Sequence, residues 1–87
     1  MKTLLTAAMI IHPACGDRAD IIDKLKTRYH ESAIAIGVTH DGNMAEILSS
    51  KDGETWSFVV TRPDGRTCLI AAGTGWDRLD VPVGRGL

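Results

Sequence analysis

The sequence predicts an α+β fold in which one helix packs on a four-stranded antiparallel β-meander. Between Ala33 and Gly73, three Asp-Gly pairs separate short apolar runs of similar length. The pairs lie at residues 41–42, 52–53 and 64–65. Asp-Gly is a strong hairpin signal, because glycine adopts a positive φ without steric cost and aspartate tolerates the turn backbone. One amphipathic segment precedes these runs and predicts the helix.

The helix is expected from Asp17 to about His30. Asp17 suits the N-cap position, and basic residues follow in the last turns, where they complement the helix dipole. Apolar side chains recur at helical spacing and form one stripe. They are Ala19, Ile21, Ile22, Leu25 and Tyr29. This stripe is expected to cover one face of the sheet, with Tyr29 in the core.

The last hairpin assigns the predicted strands to two faces. If Arg62 pairs with Arg66, Gly65 takes a left-handed bulge position, and side chains alternate between the faces. The more apolar face is expected to form the core and carries Trp56, Phe58, Val60, Cys68, Ile70 and Ala72. The mixed face carries Ser57, Val59, Thr61, Thr67, Leu69 and Ala71. It is either solvated or a contact surface, and Val59 and Leu69 are its candidate partner contacts.

The same turn type at the preceding hairpin places Leu48 opposite Trp56 and Glu46 opposite Phe58. Glu46 would then be a carboxylate directed at the core. An edge or partly exposed position explains it better than a catalytic role. A turn of another length would shift this register.

Three segments divide the 87 residues: a leader over 1–14, one domain over 15–75 and an irregular tail over 76–87. The leader has a positive start at Lys2, an uncharged centre too short to span a bilayer and a small residue at Ala14, as in a secretory signal peptide. The alternative is a strand or helix of the mature fold. In the tail, Trp76 either folds back on the sheet edge or anchors a partner.

Composition and motifs give no sign of catalysis. The net charge is −1, without a basic stripe for nucleic acid or a membrane surface. The spacing of His12, His30 and His40 matches no zinc-binding pattern. The sequence also contains no Cys-x-x-Cys pair and no pair of carboxylates at a spacing that would indicate a catalytic site. We therefore expect no enzyme activity, no cofactor and no metal.

The two cysteines, Cys15 and Cys68, have two interpretations. In an exported chain an even count in a small domain indicates a disulfide, and in a reducing compartment both would be free thiols. A bridge between them would close a long loop and contribute about 3–4 kcal/mol.

The helix is followed by a distinctive set of residues in and around the last two hairpins: Cys15 before the helix, then Asp52-Gly53, Thr55-Trp56, Thr61-Arg62-Pro63-Asp64-Gly65, Cys68, Ala71-Ala72-Gly73 and Trp76. This pattern resembles that of small exported proteobacterial proteins of unknown function. The resemblance implies a periplasmic location and a Cys15–Cys68 bridge, but no activity. A weaker, topological similarity is to the inhibitory helix-and-sheet modules found beside secreted peptidases.

These observations favour a small exported binding module, periplasmic or secreted, whose partner is another protein. The alternatives are a structural subunit of a larger assembly, such as a phage capsid decoration protein in a virion, and an inhibitor-like module of a secreted peptidase. Homo-oligomerisation is compatible with the first two. Nucleic acid and a stable membrane span are not expected.

Overall fold

The computed structural model describes residues 14–79. Residues 1–13 of the predicted leader and residues 80–87 of the predicted tail lie outside the described residues. The elements in chain order are β1 (Cys15–Asp17), α1 (Arg18–Tyr29), β2 (Glu31–Val38), β3 (Met44–Ser50), β4 (Thr55–Thr61) and β5 (Arg66–Thr74). All strands are antiparallel in one sheet of order β1-β5-β4-β3-β2, and α1 packs on one face of it. The predicted α+β fold with its meander is confirmed.

A fifth strand, β1, was not expected from the sequence. Its three residues precede the helix and pair with β5, with Cys15 opposite Cys68 and Asp17 opposite Arg66. Cys-Gly-Asp is too short to show alternation, so only its tertiary pairing makes it a strand. The strand ends where the Arg18 backbone N–H bonds the Gly65 carbonyl and the helix begins.

All three Asp-Gly pairs lie in turns, as predicted, and each glycine has a positive φ. The φ angles of Gly42, Gly53 and Gly65 are 87°, 77° and 91°. The first and third turns share one geometry. The Thr39 N–H donates to the Asn43 carbonyl across the first turn, and the Arg62 N–H donates to the Arg66 carbonyl across the third. The predicted pairing of Arg62 with Arg66 is therefore confirmed.

The middle hairpin has a longer loop than predicted. Ser49 lies opposite Trp56, and Leu48 lies opposite Ser57 rather than Trp56. Glu46 lies opposite Val59 rather than Phe58. The predicted register is wrong by one residue, and such a slip exchanges the faces of a strand relative to its neighbour.

A bulge also interrupts the β4–β5 pairing. Val60 lies opposite Cys68 as predicted, but Phe58 pairs with Ala71. The predicted partner of Phe58, Ile70, is the extra residue and remains 52% exposed. Beyond the bulge Trp56 pairs with Gly73 instead of Ala72.

The helix covers the face that the sequence marked as mixed. The buried core consists of Leu25, Leu48 and Val59, with Ile21, Ile22 and Leu69 packed against it. The prediction that Trp56, Phe58 and Val60 face the helix is therefore wrong. Two polar side chains on the covered face bond each other: the hydroxyls of Thr61 and Thr67, both buried, form a hydrogen bond of 2.7 Å.

The helix itself has the predicted extent but differs in its details. Asp17 occupies the N-cap position, yet its side chain makes no capping hydrogen bond. His30 ends the helix in the left-handed conformation, with its N–H directed at the carbonyls of Leu25 and Lys26. Tyr29, expected in the core, is 50% exposed.

Candidate interaction surface

The disulfide joins Cys15 to Cys68 across neighbouring strands. Leu69 N–H bonds the Ala14 carbonyl, so the cysteines occupy the next, non-hydrogen-bonded pair, where side chains approach most closely. Their Cα atoms are 4.0 Å apart. The bridge clamps β1 to the meander, and such bonds are typical of oxidising, extracytoplasmic compartments.

The disulfide does not lie beneath the helix, where Cys68 was expected. Gly16, between the cysteine and the helix, lies under the side chain of Ile21, so its neighbour Cys15 points to the opposite face. Cys68 is level with Val60 on that same face. The bridge is thus part of the sheet surface that α1 leaves uncovered.

We call this surface the open face. It carries a group of half-buried apolar side chains, which alternate with the core residues Leu48 and Val59. The group consists of Ala45, Ile47, Phe58 and Val60 beside the disulfide. Within residues 14–79 no helix or strand packs over it, because the single helix lies on the other side.

Two tryptophans close one end of the open face. Any Cβ at Gly73 would lie 3.0 Å from the Trp56 ring, so the indole rests directly on the glycine backbone. The ring centroids of Trp56 and Trp76 are 5.7 Å apart. The backbone N–H of Trp76 donates to the Gly53 carbonyl at 2.8 Å, which returns the tail to the middle hairpin. Trp76 therefore folds back on the sheet, as predicted.

The other two candidate partner contacts lie on the face that the helix covers. Val59 is completely buried there, and its side chain is not available to a partner. Leu69 is half-buried and packs against the same core. The sequence predicts them on an outer surface because its register exchanges the two faces of the sheet.

A second apolar surface, which we call the β2 edge, lies at the margin of the sheet. Its side chains Ile34, Ile36 and Val38 are 49%, 66% and 77% exposed. Between Ser32 and Val38 the strand contains neither a charge nor a proline. The uncharged run is visible in the sequence, but only the strand order shows that, among residues 14–79, this strand forms the edge of the sheet.

Hydrogen bonds hold the carboxylates of Glu46 and Asp52, whereas Glu31 is buried with one oxygen unbonded. Glu46 is buried and bonded by Arg18. Glu31 is 2% exposed, and its Oε1 has no hydrogen-bond partner. Hydrogen bonds lower the pKa of Asp52, above all the one from the Glu54 backbone N–H, with a further one from the Ser50 hydroxyl.

The hydroxyls of the middle hairpin are engaged in turn bonds. Ser50 Oγ donates to Asp52 Oδ1 at 3.0 Å, and Ser49 Oγ donates to the Ser50 carbonyl at 2.9 Å. Turn chemistry explains these side chains, as the sequence indicated. In the part of the chain that the structure describes, no three His, Cys, Asp or Glu side chains group as a metal ion requires.

The described residues thus form a small α+β domain with one disulfide, an open apolar face and an uncharged sheet edge. None of the helices among them is long and apolar enough to cross a membrane. The chain matches no protein-family model, no curated protein and no solved structure.

Proposed function

We propose that the protein is a small, non-enzymatic interaction module that acts outside the cytoplasm, in the periplasm or after secretion, and binds another protein. The observation that carries this proposal is the open face. Ile47, Phe58 and Val60 lie side by side there, on a surface without a covering element in residues 14–79. These side chains are half-buried and adjacent, and a contiguous apolar patch on a protein surface usually marks an interaction site.

Export is supported by two independent features. The Cys15–Cys68 bridge needs an oxidising compartment to form and persist. The first fourteen residues have the charge and hydropathy pattern of a secretory signal peptide. The resemblance to small exported proteobacterial proteins agrees with both features.

A binding role is favoured over catalysis by the state of the polar side chains. The serine hydroxyls near the tail, Ser49 and Ser50, are fixed by turn bonds rather than directed at a reacting group. The buried acid Glu46 is neutralised by Arg18. What the surface offers a partner is apolar contact.

The intact mass of the natively produced protein, measured without and then with reductant, tests export. We expect the loss of about the first fourteen residues and a gain of two hydrogens on reduction. A full-length chain whose mass is unchanged by reductant would overturn this half of the proposal.

Site-specific photo-cross-linking in the producing cell tests the interaction. A photoreactive side chain at Phe58 should yield a discrete protein adduct. The control is the same side chain at Tyr29, which is 50% exposed on the helix and outside the open face. Equal adducts from both positions, or none from Phe58, would contradict a specific interaction through this face.

A second candidate is a structural subunit of a larger assembly, such as a capsid decoration protein. It is favoured by the presence of two apolar surfaces, the open face and the β2 edge, on one small domain. Sedimentation of the native preparation tests it. Co-sedimentation with particles would support this candidate, and its absence from every particle fraction would count against it.

A further inference from the structure

We propose that β2 pairs antiparallel with β2 of a second copy of this chain, so that two sheets join across a two-fold axis. The inference rests on the proposed function only in that it names a second copy of the chain as one protein partner. It does not require export. The open face remains available in such a dimer.

The two edges of the sheet differ in how they are protected. Strand β1 is three residues long, and the disulfide ties it to β5. Strand β2 is eight residues long and has no proline, and its charged residue, Glu31, is buried at its start. Soluble proteins usually blunt long edge strands with charges, prolines or a covering element. The bulge between Ala33 and Ala35 interrupts only the first half of β2.

The backbone of the second half of β2 is prepared for pairing. Residue 39 donates its N–H to the carbonyl of residue 43, across the first turn. Because backbone groups alternate in direction along a strand, Gly37 and Ala35 also point to β3. Ile36 and Val38 consequently direct their N–H and C=O groups outward from the sheet.

A two-fold axis at Ile36 makes the strand complementary to itself. Ile36 then lies opposite Ile36 of the second copy. On the other face Ala35 meets Gly37, so small residues oppose small residues. The pairs nearest the axis are apolar, and Ile36 and Val38 are 66% and 77% exposed in the single chain.

Charge also favours a second copy over an unrelated acidic or basic strand. Residues 32–38 carry no charge, and the whole chain has a net charge of −1, so two copies repel each other weakly.

The interface consists of one strand from each copy. It is smaller than the standard protein interface of about 1,600 Å². We therefore expect an equilibrium between monomer and dimer that depends on protein concentration, rather than an obligate dimer.

Sedimentation velocity of the purified oxidised chain over a wide concentration range tests the inference. The variant I36K places two like charges at the axis and should weaken dimerisation at least tenfold. I36P removes an outward N–H without removing a bond to β3, and it should have the same effect. The control I70K changes another exposed isoleucine, on the β5 bulge, and should dimerise like the wild type.

Cross-linking identifies the register. I36C should form an intermolecular disulfide at the axis, whereas V38C, two residues away from the axis, should not. Peptide mapping confirms that the Cys15–Cys68 bridge is intact in both variants. A chain that stays monomeric at every concentration, or a dimer unaffected by I36K and I36P, would overturn the inference. A Phe58 adduct to a different protein would still support the proposed function in that case.

Discussion

Arg18, the first residue of α1, forms a bidentate ion pair with Glu46 of β3. Nη2 of Arg18 lies 2.8 Å from Oε2 of Glu46, and its Nε lies 3.3 Å from Oε1. The Glu46 side chain is only 4% exposed, whereas that of Arg18 is 41% exposed. The pair explains how a carboxylate is accommodated on the face that the helix covers.

Removal of this arginine should destabilise the fold. R18A leaves a buried carboxylate without its partner, and we expect the free energy of unfolding to fall by about 1–3 kcal/mol, less than for a fully buried pair. The control R62A breaks the pair with Asp64, which has the same 2.8 Å distance but two exposed partners. It should cost at most about 1 kcal/mol. Urea unfolding measures both, and equal losses would contradict the role of burial.

The disulfide should contribute a large share of the stability. Its cysteines are 53 residues apart in sequence, and closing a loop of that length is worth about 4 kcal/mol in the chain-entropy model. We expect the double variant C15A/C68A to lose about 2–4 kcal/mol in the free energy of unfolding. Reductant should lower the stability of the wild type but leave the double variant unchanged. A reductant effect on the double variant would show another cause.

The sequence predicts the turns well because their chemistry is local. Asp-Gly at each turn requires only the conformational freedom of glycine and the short side chain of aspartate. The helix is likewise visible from the spacing of Ile21, Ile22 and Leu25. The cysteine pair was a candidate bridge because two cysteines in a small exported domain usually meet.

The faces of the sheet were assigned incorrectly for non-local reasons. One additional residue in the middle loop shifts Leu48 from Trp56 to Ser57, and a bulge at Ile70 shifts the last strand. Neither event has a clear local signal. The core also includes Thr67 and Glu46, because each finds a tertiary partner. Without those partners the more polar face looks exposed, and the candidate contacts Val59 and Leu69 are misplaced with it.

The end of the helix offers a substitution that should stabilise the protein. His30 has a φ of 57°, in the left-handed region that glycine adopts without a Cβ penalty. Glycine removes a left-handed Cβ penalty of about 1–2 kcal/mol and adds an entropy cost of about 0.5–1 kcal/mol. H30G should therefore raise the free energy of unfolding by about 0.5–1 kcal/mol. The control R28G lies within the helix and should lower it by about the same amount. Thermal unfolding of both variants measures the difference. Destabilisation by H30G would contradict the prediction, because it would mean that the His30 side chain contributes more stability than its left-handed backbone costs.

Two turn carboxylates should make stability depend on acid pH. Hydrogen bonds lower the pKa of Asp52 and Asp64 from 3.8, chiefly those from the backbone N–H groups of Glu54 and Arg66. A carboxyl group whose pKa is lower in the folded state stabilises that state at any pH above its unfolded-state pKa. The stabilisation is lost as the pH falls through the folded-state pKa. D52N/D64N should thus melt below the wild type at neutral pH.

The difference in melting temperature should shrink as the pH falls below 3.8, where the wild-type carboxylates become protonated as well. Thermal unfolding of both proteins at a series of pH values measures it. A difference that stays constant through this range would mean that the substitutions act through the turn geometry rather than through charge.

Gly53 should be the least replaceable of the turn glycines, because the returning tail passes directly over it. A Cβ at this position would overlap the backbone oxygen of Trp76, whereas one at Gly42 would meet nothing within 4 Å. Both glycines have a positive φ, so alanine strains either turn by about 1–2 kcal/mol. G53A should cost more than G42A, and it alone should change the near-ultraviolet circular dichroism of the Trp56–Trp76 pair. Equal stability losses with an unaltered tryptophan spectrum in both variants would show that the tail does not rest on this hairpin in solution.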